Sequence, residues 1–479
     1  MSARAFSALR RAFCAVALLA AASGCGTFDP QEARRGQTDA FSAELRERLA
    51  ALPDRPLSLD DCIRIALTNN YSARLADLDR ELARLGKTTA FSAFLPRVSA
   101  SVGYTDRDYD NILGQAADGR LVYGPAADTA STLTAALPVF SPASWFLYAA
   151  ARHGEASAAI AAYYTRQNIV LQTTAAYCDV LVQLDTVRAL ETQLSAAERL
   201  SERLSGLSAE GFVADWERGQ ADLQALARRT ELDSARRRLR VLQGRLLQTL
   251  GLPPDAEIGL SGDCGNTRAP EGPVEDLVIL ALMSHPQLAL ADRRVVMGEL
   301  AVRRAFCNFL PTLSINATHV WGGEDLAFDA LGWSTGFHGA WSVFSGFANS
   351  AAYRTALVER RQSELQRENT FLSIILGVMA AEAQLRDARE SVAVRQLAYD
   401  VAAAKSADRD DRAAEGLIPV SDALDARSEM DLAQVALIRS RYQETIAIAN
   451  LELAMGIPFL PPEYAPPLAP PETQPDTPQ

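Results

Sequence analysis

The chain has 479 residues, of which 48% are hydrophobic and 22% charged, and its net charge is −12 at pH 7. This balance argues against a nucleic-acid-binding protein, because phosphate binding requires clustered positive charge and the Lys and Arg residues here are scattered among Glu and Asp. The four His residues are widely separated, and no nucleophile–base pair, metal-ligand spacing or phosphate-binding loop occurs, so we expect no enzymatic activity.

The N-terminus has the three parts of a secretory signal, with three arginines before the apolar stretch 12–22 and small residues before Cys25. The apolar stretch is too short for a membrane-spanning helix, which takes about 20 residues. The ending resembles a bacterial lipoprotein signal in which Cys25 is acylated, although Ala22 stands where Leu is usual. The alternative is an ordinary signal with a chance cysteine. Gly26 follows, and the lack of an Asp there favours the outer membrane.

Four cysteines remain if Cys14 leaves with the signal and Cys25 carries lipid: Cys62, Cys178, Cys264 and Cys307. None forms a CxxC motif or a metal-ligand spacing. We therefore expect small, buried apolar residues rather than a functional site.

An internal repeat is the most informative feature of the chain. Residues 59–70 align without gaps onto residues 274–285. Other groups recur in the same order in both halves: Phe94-Leu95-Pro96 with Phe309-Leu310-Pro311, Val139-Phe140-Ser141 with Val343-Phe344-Ser345, Glu210-Gly211-Phe212-Val213 with Glu415-Gly416-Leu417-Ile418, and Gly251-Leu252-Pro253 with Gly456-Ile457-Pro458. The chain is therefore predicted to contain two copies of one structural unit.

Each unit begins with a predicted helix, over residues 59–90 and 274–304, where apolar residues recur at helical spacing. Pro96 and Pro311 end these segments, because proline cannot continue the helical hydrogen-bond ladder.

The pattern then changes to strict alternation, which predicts a pair of strands within residues 97–140 and another within 312–344. Residues 106–128 and 322–332, which separate the paired strands, are rich in Gly, Asp and Asn and are predicted to be surface loops. Such strands fit a transmembrane β-barrel, but a half-buried soluble sheet has the same alternation.

Residues 143–209 and 347–414 contain no internal proline and predict two very long helices. Each has roughly 65 residues and would reach roughly 100 Å, so its apolar face must be covered by other helices. The shorter predicted helices, including 216–250 and 421–455, are about half as long. Two of them stacked end to end would cover each long helix.

Four strands per chain cannot form a closed barrel, because membrane barrels start at about eight strands. An open sheet in lipid would leave backbone groups unpaired, so strands in a membrane require at least two subunits. Three copies would give twelve strands.

The chain resembles the TolC, or outer-membrane efflux protein, family from about Leu57 to Gly456. The motifs that carry the likeness are Leu57-Ser58-Leu59-Asp60-Asp61, Ala66-Leu67-Thr68-Asn69-Asn70, Phe94-Leu95-Pro96, Leu137-Pro138-Val139-Phe140-Ser141, Glu415-Gly416-Leu417-Ile418, Asp422-Ala423-Leu424-Asp425-Ala426 and Ala454-Met455-Gly456. The lipoprotein signal makes the chain most similar to the lipid-anchored branch of this family.

This resemblance implies an α+β membrane protein: a homotrimer with a 12-stranded transmembrane β-barrel that continues into a long periplasmic α-helical barrel. It also implies a passive outer-membrane duct of a tripartite efflux or secretion system, supplied by an inner-membrane pump and a periplasmic adaptor (membrane fusion protein). No cofactor or metal is implied, apart from the covalent lipid expected on Cys25.

The resemblance also assigns candidate site residues. Two helix-hairpin tips that dock the adaptor are expected at Gly211, Phe212 and Val213 and at Gly416, Leu417 and Ile418. Asp422 and Asp425 are expected to line the periplasmic constriction as two carboxylate rings. The alternative is that these two carboxylates only favour the N-terminus of a helix.

The predicted organisation is a signal peptide (1–24), a lipid-anchored segment (25–56), a first repeat (57–256), a linker (257–273), a second repeat (274–457) and a disordered Pro-rich tail (458–479). The competing hypothesis is a periplasmic coiled-coil lipoprotein that serves as scaffold or adaptor without channel activity. The transported substrate is not readable from the sequence.

Overall fold

A computed structural model describes residues 30–50, 52–53, 55–106, 111–115, 121–124, 127–262, 270, 272–321, 333–415 and 417–457. The predicted signal, Cys25, Cys264, Gly416, the loop 322–332 and the tail 458–479 lie outside these described residues. The elements in chain order are α1 (Pro30–Ala50), α2 (Leu59–Asn69), α3 (Tyr71–Phe91), β1 (Arg97–Asp106), β2 (Asn111–Gln115), β3 (Leu121–Gly124), β4 (Ala127–Phe140), α4 (Pro142–Ala209), α5 (Asp215–Thr249), α6 (Val274–Ser284), α7 (Pro286–Cys307), β5 (Thr312–Trp321), β6 (Trp333–Ala340), α8 (Ala348–Ala414) and α9 (Val420–Met455).

The two long helices are confirmed. Helix α4 has 68 residues and α8 has 67, so each extends about 100 Å at 1.5 Å per residue. Pro142 lies in the first turn of α4, where its missing N–H breaks no helical hydrogen bond. Since no proline occurs further along either helix, nothing interrupts the hydrogen-bond ladder.

The helices predicted over residues 59–90 and 274–304 are wrong as single elements, because each is split in two. Asn70 separates α2 from α3, and His285 separates α6 from α7; both have an extended backbone. Each side chain accepts an N–H two residues further on and so starts the second helix. No single described helix is long and apolar enough to cross a membrane, and the pair α6–α7, bent by 45°, reaches that length and composition only together.

The strands β1, β4, β5 and β6 form one antiparallel sheet in that order. The central pairing, β4 with β5, joins the first repeat to the second, with Leu133 opposite His319. The sheet is open, and its free edges are β1 and β6. The loop predicted over residues 106–128 is partly wrong, because it contains the β2–β3 hairpin and the start of β4.

The helices form a layer that continues from the sheet. Near the strands the order of contacting helices is α3–α4–α7–α8, and we call this the strand half. Further away the order is α5–α4–α9–α8, and we call this the tip half. In each repeat two shorter helices therefore lie end to end along the long helix, as predicted: α3 and α5 along α4, and α7 and α9 along α8. Helices α7 and α9 also cover the other side of α4.

Two apolar clusters hold the layer where the halves meet. In the first, Tyr177 of α4 is fully buried, and its hydroxyl donates to the carbonyl of Leu57. In the second, Val378 of α8 packs with Met455 of α9. Burial of these side chains supplies most of the stabilisation, at about 25 cal/mol per Å² of apolar surface.

Cys62, Cys178 and Cys307 are buried, as expected of small apolar residues. Burial raises the pKa of Cys62 to about 12. This thiol therefore stays protonated at physiological pH and is a poor nucleophile.

Candidate functional site: the hairpin tips, the polar hollow and the free edges

The first predicted tip is a tight turn between α4 and α5. Gly211 has φ +81°, which favours glycine, and its N–H donates to the carbonyl of Ser208. The N–H of Phe212 donates to the carbonyl of Leu207 at 2.9 Å. Together these bonds form a Schellman motif, which ends α4 and reverses the chain.

The second predicted tip follows the same design between α8 and α9. The N–H of Leu417 donates to the carbonyl of Arg412 at 2.9 Å, the same six-to-one bond as in the first tip. Pro419 then precedes the first residue of α9. Gly416 lies outside the described residues, so its predicted role stays a prediction.

The tips present large apolar side chains to solvent. Phe212 is 77% exposed and Leu417 is 69% exposed, while Val213 and Ile418 are half-buried. Trp216, in the first turn of α5, is 68% exposed and was missed by the sequence reasoning. A tryptophan next to a predicted tip was the signal that could have found it, since exposed aromatic residues often anchor a partner.

Asp422 and Asp425 both lie in the first turns of α9 and are exposed. Asp422 Oδ2 is 3.9 Å from Arg409 Nη1 of α8. Asp425 instead lines a polar hollow between α4, α5 and α9. Within one chain the two carboxylates therefore have different neighbours.

The polar hollow has a volume of about 260 Å³. The small side chains of Ala196, Ala197 and Ala227 leave the space open. Charged side chains also line the hollow: Arg228, Glu231, Asp425, Arg427 and Asp431. Burial raises the pKa of Asp431, and Arg427 opposes this effect. Gln193 also lines the hollow; it is 4% exposed, and neither of its amide atoms has a hydrogen-bond partner among the described residues. Among the described residues no group of His, Cys, Asp and Glu is suited to a metal ion.

Aromatic side chains cluster where the strands meet the helices. Phe140 and Trp145 make an edge-on contact with ring centroids 5.8 Å apart. In the second repeat Phe344 and Phe347 make a similar contact at 5.5 Å, and both rings are exposed. Aromatic rings at this level are typical of the boundary between a membrane and water.

The free edge helices of the strand half carry exposed apolar stripes. On α3 the stripe is Leu75, Leu78, Leu82 and Leu85, and on α8 it is Val358, Leu365, Leu372, Leu376 and Met379. These side chains recur at spacings of three, four and seven, so each set shares one helix face. Stripes of this kind on solvated helices are typical of helix–helix interfaces.

The free edges of the tip half have the same property. Leu223, Leu226 and Val241 are exposed on α5, and Val394, Leu397 and Val401 are exposed on α8. Helix α8 therefore forms one free edge along both halves. The opposite free edge is formed by α3 in the strand half and by α5 in the tip half.

Comparison with known proteins agrees with this geometry. Residues 277–457 match the family model for outer membrane efflux proteins, whereas no curated protein matches the chain. The fold is similar to the CmeC outer membrane channel of Campylobacter jejuni, with 17% identity and a TM-score of 0.71 over 83% of this chain and 85% of that one.

Two further solved structures have similar values. VceC of Vibrio cholerae, an outer membrane protein, has 18% identity and a TM-score of 0.68 over 83% of this chain and 96% of that one. The MtrE outer membrane channel of Neisseria gonorrhoeae, solved in its open state, has 16% identity and a TM-score of 0.67 over 83% and 88%. These likenesses confirm the predicted α+β fold of the chain, and the structures are those of channels and membrane proteins rather than enzymes.

Proposed function

We propose that the chain is an outer membrane efflux protein, since residues 277–457 match that family model, and that it forms the outer-membrane channel of a tripartite efflux or secretion system. In this role it is a passive exit duct, extending from the outer membrane into the periplasm. An inner-membrane pump and a periplasmic adaptor deliver its substrates.

The observation that carries this proposal is the alignment of the free edges of sheet and helix layer. Edge strand β1 follows α3, and edge strand β6 precedes α8, so each open edge of the sheet continues into an open edge of the helices. An open sheet edge in lipid leaves backbone N–H and C=O groups without partners. A second copy of the chain supplies those partners along both layers at once.

The strand directions allow this closure. All neighbours in the sheet are antiparallel, so β6 of one copy and β1 of the next also run in opposite directions. Three copies, the number that the family resemblance implies, would form a 12-stranded barrel above a 12-helix tunnel. The leucine stripes of α3 and α8 would cover each other between copies, which removes apolar surface from water.

The lipid anchor, the docking tips and the periplasmic constriction belong to the same proposal. Acylated Cys25 would hold the N-terminal segment at the outer membrane. Exposed Phe212 and Leu417 would dock the adaptor at the tips, together with the neighbouring tip residues. Asp422 and Asp425 would line the constriction, where rings of carboxylates favour cations.

Of these two carboxylates, Asp425 would contribute more to cation selectivity. Arg409 lies near Asp422 and offsets part of its charge, whereas Asp425 forms no ion pair with any described residue. Neutralising Asp425 should therefore lower cation selectivity more than neutralising Asp422.

Conductance across a planar bilayer tests the proposal. We expect stable single channels from the purified protein in a KCl gradient, with a reversal potential that indicates cation preference. Asp425→Asn should move that potential toward zero, while Asp233→Asn, an exposed carboxylate of α5, should leave it unchanged. A stable oligomer without conductance, even as the double variant Asp422→Ala and Asp425→Ala, would contradict the duct and favour the periplasmic scaffold.

A further inference from the structure

Helix α5 carries unpaired arginines on the stripe that faces away from its own chain. Its inner face, including Leu232 and Leu246, packs on α4. On the opposite face Arg237 and Arg245 lie one turn before and one turn after exposed Val241. Neither arginine forms an ion pair with a described residue.

The neighbouring arginine behaves differently. Arg236 is one residue away but turned toward α4, where it pairs with Glu191 at 2.7 Å. Within the part of the chain that the structure describes, the inward arginine of this segment therefore has an acidic partner and the two outward arginines have none.

Helix α8 has the complementary arrangement on its own outward stripe. Asp387 and Glu390 share a face with exposed Val394, and they are exposed and unpaired among the described residues. Nearby Arg389 is already paired with Glu444 of α9 at 3.4 Å. The outward stripe of α8 is thus acidic where that of α5 is basic.

The two charged segments also lie at similar heights above the tips. Arg237 and Arg245 are about 33 and 45 Å of helix beyond the start of α5, at 1.5 Å per residue. By the same measure, Glu390 and Asp387 are about 36 and 41 Å before the end of α8. Closer to the tips both stripes become apolar, with Leu223 and Leu226 on α5 and Val401 on α8.

We propose that Arg237 and Arg245 of one copy pair with Asp387 and Glu390 of the next copy, and that these contacts set the vertical register of the helical tunnel. This inference rests on the proposed closure of the free edges by copies of the chain. It adds which side chains meet in the tip half, and it commits the basic stripe to a second copy as its occupant.

Such ion pairs would fix the relative position of neighbouring copies more than they strengthen the binding between copies. The leucine and valine side chains of the two stripes contribute affinity, but apolar contacts allow helices to slide past one another. Opposite charges placed at one height are separated by a shift of the two helices, so shifted registers lose these pairs. Adaptor docking at the tips requires all tips at one level, so register matters for function.

Charge reversal tests the pairing. We expect Arg237→Glu with Arg245→Glu to reduce the oligomer fraction of the detergent-purified protein about tenfold. Adding Asp387→Arg and Glu390→Arg should restore it. The matched control is Arg218→Glu with Arg229→Glu, which changes the same charge at exposed sites of α5 outside the stripe and should leave the oligomer intact.

Crosslinking tests the register independently of stability. We expect a short bismaleimide to link copies carrying Val241→Cys and Glu390→Cys into dimers and trimers. The pair Val241→Cys and Val401→Cys, about 19 Å apart in height, should link at least about tenfold less. The parent chain controls for the native thiols.

The outcomes distinguish a failure of the ion pairing from a failure of the proposed assembly. Reversal that lowers the oligomer fraction and is rescued by the second reversal supports the pairing. No loss, or loss without rescue, or stronger linking of the mismatched cysteines overturns it while the oligomer itself stands. If the unmodified protein is monomeric, the proposed assembly fails and the pairing fails with it.

Discussion

Gly251 and Gly456 occupy equivalent positions in the two repeats, each just after the end of a helix. Gly251 follows α5 with φ +68°, and Gly456 follows α9 with φ +66°. A Cβ on Gly251 would lie 2.5 Å from the carbonyl oxygen of Asn69, and one on Gly456 would lie 2.7 Å from the Cα of His285. Each glycine therefore allows the end of one helix to pack closely against the break between two other helices: α5 against the α2–α3 break, and α9 against the α6–α7 break.

Replacing Gly456 with alanine should be strongly destabilising. The methyl group would contact backbone that cannot move away easily, and the positive φ adds strain, so we expect a loss of about 3 kcal/mol. Gly86→Ala is the control, since Gly86 lies inside α3 with open space around it. There alanine should stabilise by up to about 1 kcal/mol. Denaturant unfolding followed by circular dichroism measures both changes.

His285 makes the stability of the chain depend on pH. Burial lowers the pKa of His285 to about 4, and its Nδ1 accepts the N–H of Gln287. The unfolded chain binds a proton at this residue below about pH 6.5, whereas the folded chain does not until about pH 4. Stability therefore falls as the pH decreases through this window, by roughly 3 kcal/mol, and this residue adds no further loss below it.

The matched variant is His285→Asn, because Asn70 occupies the equivalent break in the first repeat. Asparagine can also accept the N–H that starts the next helix, but it does not titrate. Thermal unfolding between pH 4 and 7 should show a shallower slope for this variant than for the parent. An unchanged slope would mean that other groups cause the pH dependence.

Helix continuity depended on side-chain partners far away in the chain. The residues around Asn70 have apolar spacing suited to one helix, yet Asn70 Nδ2 donates to the carbonyl of Thr249 at 2.8 Å. Thr249 is the last residue of α5, so the break couples two helix ends across 179 positions. Local periodicity cannot report such a contact, and for that reason the single-helix prediction was wrong.

The polar hollow between hairpins gives a prediction about how the tip half is packed. Gln193 has two buried amide atoms without partners, and leaving such groups unsatisfied costs roughly 1–3 kcal/mol. Gln193→Leu, which has a similar volume, should therefore raise the unfolding free energy by about that amount. Ala196→Ser, at the rim of the same hollow, is a control that keeps the amide. A loss of stability in Gln193→Leu would contradict an unsatisfied amide and indicate bound water.

Closure of the free edges gives a prediction for the whole assembly. Leu78 and Leu82 are 61% and 65% exposed on α3, and they make little contact within their own chain. Changing both to Asp should abolish the oligomer without unfolding the chain, because only the contact between copies buries them. Light scattering in detergent and circular dichroism measure the two effects. Changing both to Met should preserve the oligomer.

Much of the fold was predictable because it follows from local rules. The absence of proline predicted both long helices, the change to alternation predicted four strands, and the repeated motifs predicted that both halves share one element order. Phe212 and Leu417, which the family resemblance assigned to the tips, lie in exposed turns, and their role in docking an adaptor stays a prediction. The hairpin β2–β3 was missed because its short strands have weak alternation.

The amino-acid sequence by itself determined the duplication and the lengths of the long helices, because spacing along the chain controls both. Tertiary structure decided which edges stay open, which partners Asp422 and Asp425 have, and where the shorter helices break. Those features depend on contacts that arise only when the chain packs: Arg409 of α8 lies beside Asp422 of α9 once the hairpin folds, and β4 of one repeat lies beside β5 of the other. Side-chain periodicity carries no information about such contacts, so only the packed chain could reveal them.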